Sequence, residues 1–274
     1  MKYNTSMFDS IKDALNKQQQ KQGGGSKDIL TMEKGNTYVV RLIPNLADPE
    51  KTWFKYQSFS WTSFATGKFV SSISPLSWGE RDPIAEERIQ IYKNGTDAEK
   101  EKIKNVRRTE RWLMRAYIVS DPTTPENNGK VKILRLSKQV FNIINSAISG
   151  EDADEFGARI FDLGPNGVNF KIKVTDQGGF HNYTESRFTS PVNLKLTEAQ
   201  TEEIYAQAGG LEHVYSARSS DEIKKVFDEH YHTEAPAAAA PSTDSSEETE
   251  TSAPPADAED LSDEEKMKRL LADM

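Results

Sequence analysis

RRTERWLMRAYIVSDPTTPENNGKVKILRLSKQVFNIIN, residues 107–145, decides how the rest of the chain is read. Its first part alternates with the two-residue period of a strand, with Trp112, Met114, Ala116 and Ile118 on one side and Leu113, Arg115, Tyr117 and Val119 on the other. Asp121-Pro122, Pro125 and Asn128-Gly129 are turn chemistry, and a second predicted strand, Val131 to Leu136, follows at once. From Lys138 to Ser149 the apolar residues Val140, Phe141, Ile144 and Ile148 change to helical spacing. This strand, long hairpin loop, strand and helix carry Arg107, Arg108, Arg111, Lys130, Lys132 and Arg135 beside Trp112 and Tyr117. Cations suit phosphates and flat rings suit unstacked bases, so the mixture points to a single nucleic-acid strand.

Composition sets the bounds. A chain of 274 residues is long enough to bury a sizeable core, yet only 35% of it is hydrophobic and the mean hydropathy is −0.71. Much of it is therefore expected to lie outside any core. The absence of cysteine excludes disulfides, thiolate zinc sites and thiol catalysis, and suits a reducing compartment. No apolar run approaches the ~18 residues of a membrane span, and the first residues lack a signal-peptide apolar segment. A soluble, cytoplasmic protein is expected.

The net charge of −8 is unevenly distributed. From Glu234 to Met274 there are 12 acidic and 3 basic residues; positions 1–233 hold 31 and 32. Without its tail the chain is balanced, with local basic clusters that can attract phosphate.

Residues 1–26 place Met7, Phe8, Ile11 and Leu15 at helical spacing before a Gln/Lys run and Gly-Gly-Gly-Ser, an arm on a flexible joint that either docks or frays. Strands are predicted from Tyr38 to Ile43, Trp53 to Trp61 and Lys68 to Ile73, an irregular Pro75–Arg81 segment holds Trp78, and residues 83–106 read as helical with a break at Asn94-Gly95. In Val168–Val174 the alternation turns Val168, Phe170, Ile172 and Val174 inward and Asn169, Lys171 and Lys173 outward. A loop over 178–188 presents Phe180, Tyr183 and Phe188, and helices are predicted to start at Thr197 and Ser219, each with a capping box. Short strands with frequent turns and a few helices indicate a mainly β, α+β fold.

Residues 234–274 are rich in Ala, Pro, Ser and Glu and are expected to be disordered until Leu261, Met267, Leu270 and Leu271, whose helical spacing suggests a partner-binding helix.

Each chemical motif has a plainer reading. Lys104, Arg107, Arg108 and Arg111 sit among acidic residues and read equally as a solvated charged face, and Trp112 on a strand reads first as core. The recurrence of basic and aromatic residues at 107–117, 130–138 and 171–187 is what favours a groove. The four histidines, His181, His213, His230 and His232, have no metal-binding spacing, and no phosphate loop, dinucleotide fingerprint or nucleophile elbow is present. No catalytic residue and no enzyme is expected.

DPTTPENNGKV at 121–131, preceded by RRTERW, resembles the single-stranded DNA-binding, helix-destabilising proteins of T-even-type phages. GVNFKIKVTDQGGFHNYTESRF at 167–188 and VVRLIPN at 39–45 are similar to further blocks of that family in the same order. The resemblance implies an OB-fold core over 27–233, a five-stranded Greek-key barrel, with a helical subdomain. It also implies non-sequence-specific binding of single-stranded DNA in phage replication, recombination and repair, in the cytoplasm of an infected bacterium. By position it assigns Arg108, Trp112, Phe180 and Tyr183 to the groove, and Trp78 and Tyr92 near other groove aromatics; Leu134 stands where the family has one more. Phosphates are then expected along Lys104, Arg107, Arg108, Arg111, Lys130, Lys132, Arg135, Lys171, Lys173 and Arg187. Self-association through the arm and recruitment of replication partners through the tail are implied as well. The family's zinc site falls on residues 61–85, where Trp61, Asp82 and Ala85 replace one histidine and two cysteines, so no metal cofactor is expected and packing from Trp61, Phe64, Phe69 and Trp78 is expected instead. An RNA-binding regulator using the same stacking and charge is the alternative.

Overall fold

Fourteen residues in one strand, β4 (Arg107–Ser120), organise the sheet. The computed structural model describes residues 28–216 and 218–233; the expected arm at 1–26, and the acidic tail at 234–274 with Leu261, Met267, Leu270 and Leu271, lie outside the described residues. On one edge β4 meets two strands in succession: β2 (Trp53–Thr62) lies against its first half and β1 (Thr37–Ile43) against its second. On its other edge lies β5 (Val131–Leu136). With β3 (Phe69–Ile73), β6 (Val168–Lys173) and β9 (Arg187–Pro191) these form a seven-stranded sheet whose strand pairs are antiparallel, ordered β3-β2-β4-β1-β6-β9 with β5 branching from β4. Residues just after the arm close the outer edge of β5: Leu30 N–H donates to the Ile133 carbonyl and Ile133 N–H to that of Asp28, each at 2.8 Å. The fold is mixed α/β around a mainly antiparallel sheet.

Five α-helices are present among the described residues: α1 (Pro83–Asn94), α2 (Asp97–Ile103), α3 (Lys138–Ser149), α4 (Glu198–Ala206) and α5 (Ser220–Phe227). Their starts follow from local chemistry. Asp82 accepts from Ile84 and Ala85 N–H ahead of Pro83, and Thr96/Glu99, Thr197/Gln200 and Ser219/Glu222 form capping boxes.

Both faces of the sheet are partly covered. The largest apolar cluster joins Trp112, Met114, Ala116 and Ile118 to Val140 and Ile144 of α3 and to Val168, Phe170, Ile172 and Val174. On the other face Leu113 packs with Tyr56, Ile133 and Leu211, while Ile43 packs with Leu163, Ile204 and Ala208. A further cluster joins Phe59 and Trp61 to Ile84, Ile103, Val106 and the C-terminal Ile223, Phe227 and Tyr231. α5 continues into a π-helical turn, Asp228–His232, tied down by Phe64 N–H to the His230 carbonyl at 2.9 Å and by His232 against Glu87 at 2.9 Å.

Three expectations change. Asn169 is buried rather than outward, because its Oδ1 takes two hydrogen bonds from Arg41, a wholly buried guanidinium that also donates to the Asp162 and Val192 carbonyls. Burial lowers the Arg41 pKa, so these acceptors are what keep the charge tolerable there. The 178–188 loop contains a small hairpin, β7 (Thr175–Gln177) with β8 (Phe180–Asn182), turned by Gly178 and Gly179 at positive φ. In the 61–85 region Trp61 and Phe64 do pack together, but Phe69 is 52% exposed and Trp78 packs against Phe54 elsewhere.

Candidate nucleic-acid interface

Register along β2 and β4 sorts the candidate residues onto opposite faces. Residues paired across an antiparallel ladder point the same way. Trp53, Lys55, Gln57 and Phe59 stand opposite Met114, Trp112, Glu110 and Arg108, and so share one face. Tyr56, Ser58 and Ser60 stand opposite Arg111, Thr109 and Arg107 and share the other. The basic run at 107–111 therefore does not line a single groove.

On the first face, aromatic rings and cations converge. Phe141 of α3 lies parallel to Trp112 at 4.3 Å between centroids, and Trp53, 36% exposed, meets Phe141 edge-on at 5.7 Å. Lys55 Nζ sits 5.6 Å from the Trp112 ring centre. Glu110 holds this group in place: it pairs with Lys55 at 3.1 Å and Arg108 at 3.0 Å, and accepts from Gln57 at 3.4 Å. Partial burial alone would raise the Glu110 carboxyl, but the two cations hold it below the ordinary range. α3 also roots the β7–β8 hairpin, since the Tyr183 N–H donates to Gln139 Oε1 at 2.8 Å. Phe180 is 40% exposed at this hairpin, whereas Tyr183 is buried in the main core. Tyr92 is half-buried in the helical cluster, near the Arg88 guanidinium at 5.8 Å. Trp112 itself is only 7% exposed, so its ring is backed by Phe141 rather than standing open.

On the second face a cleft of about 490 Å³ lies over the β3-β2-β4 ribbon. Its walls come from those strands and their turns, with Arg107, Arg111 and the hydroxyls of Ser58, Ser60, Ser71 and Thr109. At its end Tyr56 and Tyr215 lie 5.0 Å apart. Burial, then Tyr215, pushes the Tyr56 hydroxyl far up, while Arg135 and Arg111, the latter directly across from Tyr56 on β4, oppose the shift.

The remaining basic candidates are scattered. Lys104 and Lys173 pair at 2.5 Å with Glu101 and Glu185. Lys130 is exposed at the turn before β5, Lys132 is half-buried on β5, and Lys171 and Arg187 are exposed and directly opposed across β6 and β9. Trp78 is not near Trp112: it donates its Nε1–H to the Glu212 carbonyl at 3.2 Å, beside Phe54 on the second face.

Trp53, Lys55 and Phe141 were not legible as site residues, though Trp53 and Lys55 stand two apart at the head of β2, the spacing of one strand face. The alternating hydroxyls Ser58, Ser60 and Thr62 were the missed signal for the cleft. In the 61–85 region Trp61 packs edge-on against Phe227 at 5.6 Å, and Asp82 caps α1 through its Oδ1. Among the described residues no group of three or more His, Cys, Asp or Glu is arranged to hold a metal ion, and no helix is long and apolar enough to cross a membrane.

Two curated relatives share 38% identity with the chain over 84 residues, the single-stranded DNA-binding proteins of Enterobacteria phages T4 and T2. Each match spans 30% of this chain and 27% of the relative's length. The family described as gp32 DNA binding protein like matches residues 33–229, well over half of the sequence and nearly all of the described fold. The chain is a member of the gp32-like DNA-binding protein family.

Proposed function

We propose that the protein binds single-stranded DNA without sequence preference and coats it during phage DNA replication, recombination and repair. The observation that carries this reading is the Trp53–Phe141–Trp112 ring cluster with Lys55 and Arg108 on the same sheet face. Bases stack on the exposed part of the cluster, each contributing about 1–3 kcal/mol, and phosphates displace Glu110 from the two cations. Duplex DNA binds poorly, because its bases are already stacked and cannot reach the rings.

In this reading the strands around β4 form an OB-type barrel that serves as the DNA-binding core over 27–233, and the α1–α2–α5 unit is a helical subdomain held by apolar packing without zinc. Phe180 and Tyr183 on the β7–β8 hairpin flank the same face by way of α3. The N-terminal arm mediates contacts between neighbouring copies. The acidic tail, net −9 after Thr233, competes with DNA for cationic surface, and Leu261, Met267, Leu270 and Leu271 engage replication partners in the host cytoplasm.

Titrating intrinsic tryptophan fluorescence with poly(dT) at several salt concentrations tests the reading. The expected result is strong quenching whose affinity falls with salt at a slope of roughly −0.7 per phosphate neutralised. A folded protein that shows no quenching refutes it. Matched DNA and RNA oligomers in the same titration separate DNA binding from an RNA-directed role, which needs a contact to the 2′-hydroxyl.

A further inference from the structure

We propose that the cleft on the opposite face of the β2–β4 ribbon is a second nucleic-acid site, which holds another segment of single strand by its phosphates. The inference rests on the single-strand reading above and adds a separate track to it. Alternation in β4 sends Arg107 and Arg111 to this face while Arg108 goes to the other. Ser60 stands at the centre of the floor, opposite Ser71 on one side and Arg107 on the other, with Ser58 opposite Thr109 one step along.

This chemistry is specific in kind. Hydroxyls repeat about every 7 Å along a strand and about 5 Å across strands, a surface of short donors that lets a sugar–phosphate backbone approach the sheet closely. No Asp or Glu lines the cleft, whereas the first face has Glu110 between its two cations. Phe69, half exposed at the rim, is an aromatic on the open part of this surface. Two arginines and six hydroxyls line it beside three rings, of which Trp61 is buried and Phe64 packs on Tyr231, so the cleft selects phosphate over base, is indifferent to base identity and depends strongly on salt.

Photocrosslinking with the full-length protein tests it. Oligo(dT) carrying a single 5-bromodeoxyuridine is irradiated with the protein, and adducts are mapped by mass spectrometry. Adducts are expected at Phe69 as well as at Trp53. Arg107→Ala should lower the Phe69 adduct about fivefold or more and leave the Trp53 adduct nearly unchanged, and Lys55→Ala should do the reverse. Ser60→Asp, which places a carboxylate on the floor, should reproduce the Arg107→Ala result, and thermal melts confirm that each variant is folded. Adducts at Trp53 with none at Phe69 overturn the second site and leave the single-strand reading standing. Parallel loss of both adducts in either variant also overturns it, because one continuous track then serves both faces. Adducts at neither position, with no fluorescence quenching, overturn the single-strand reading and this inference with it.

Discussion

Phe141 lies flat on Trp112, their planes 8° apart, so a helix residue supplies the backing for a strand residue that faces the proposed DNA surface. Truncating it leaves a gap beneath the tryptophan. Phe141→Ala should cost about 2–3 kcal/mol in urea unfolding and shift the Trp112 emission to the red. Binding to poly(dT) should weaken as well, because the ring cluster is no longer held rigid. Unchanged stability and emission would mean that the stack carries little.

Glu110 sets the electrostatic tone of the same face by occupying Lys55 and Arg108. Glu110→Gln should tighten single-strand binding about threefold to tenfold at low salt and make the salt dependence steeper, since two cations become free for phosphate. Weaker binding in that variant would show that the carboxylate serves only to position the two cations.

Acid should act chiefly through two carboxyls, the most buried of the depressed ones. Burial opposes ionisation at Asp121, but hydrogen bonds from Asn127, Thr124 and Thr123 hold its pKa below the ordinary value, and Glu110 is depressed by its cations. A depressed folded-state pKa gives stability that is complete above the unfolded value, about 4, and is lost as pH falls through the folded value. The melting temperature should be flat from about pH 7 to 5 and fall below about pH 4. Asp121→Asn should flatten part of that fall, a difference that isolates this carboxyl from Asp82, whose pKa burial raises.

The helical cluster depends on the C-terminal turn. Phe227 is buried, stacks on Tyr231 at 4.5 Å and meets Trp61 edge-on. Phe227→Ala should cost about 3–5 kcal/mol. EDTA or a stronger chelator should leave the melting temperature where it is; a drop of several degrees would show that a metal holds this region.

The tail is tested without shortening the chain. Replacing the 12 acidic residues after Thr233 by Asn and Gln should tighten or speed oligo(dT) binding, most at low salt. Unchanged kinetics would assign the tail to partner recruitment alone.

Strong periodicity made the fold around β4 legible. β5, α3 and β6 fall within a residue of their expected bounds, and β4 carries the alternation read at 112–119 back to Arg107, because long runs with one period leave a single way to bury their apolar side. The capped helices were legible for the same local reason. The site was not. Arg107 and Arg108 are neighbours in sequence and back to back in space, and a list of basic residues carries no information about which side of a pleat each one takes. Asn169 was misplaced because alternation describes apolar residues, whereas Arg41, itself buried, needed a polar partner from the adjacent strand. Phe69 and Trp78 were expected in a core on hydrophobicity alone, and contacts between distant segments decided otherwise.

The shared strand has a consequence for how such a chain can change over generations. β4 is paired on both edges through Trp112–Tyr117, so its second half cannot shift without breaking two ladders. Arg107–Arg111 is held by β2 alone. A one-residue insertion in the 104–106 turn can be absorbed there and leave the chain intact. A one-residue deletion within 108–111 that keeps the second half in place would bring Arg107 round to the other side and exchange the charges that the two surfaces present, whereas removing two would preserve the pattern. Relatives should therefore vary in length in the turn before β4 and differ within this segment only by even numbers of residues.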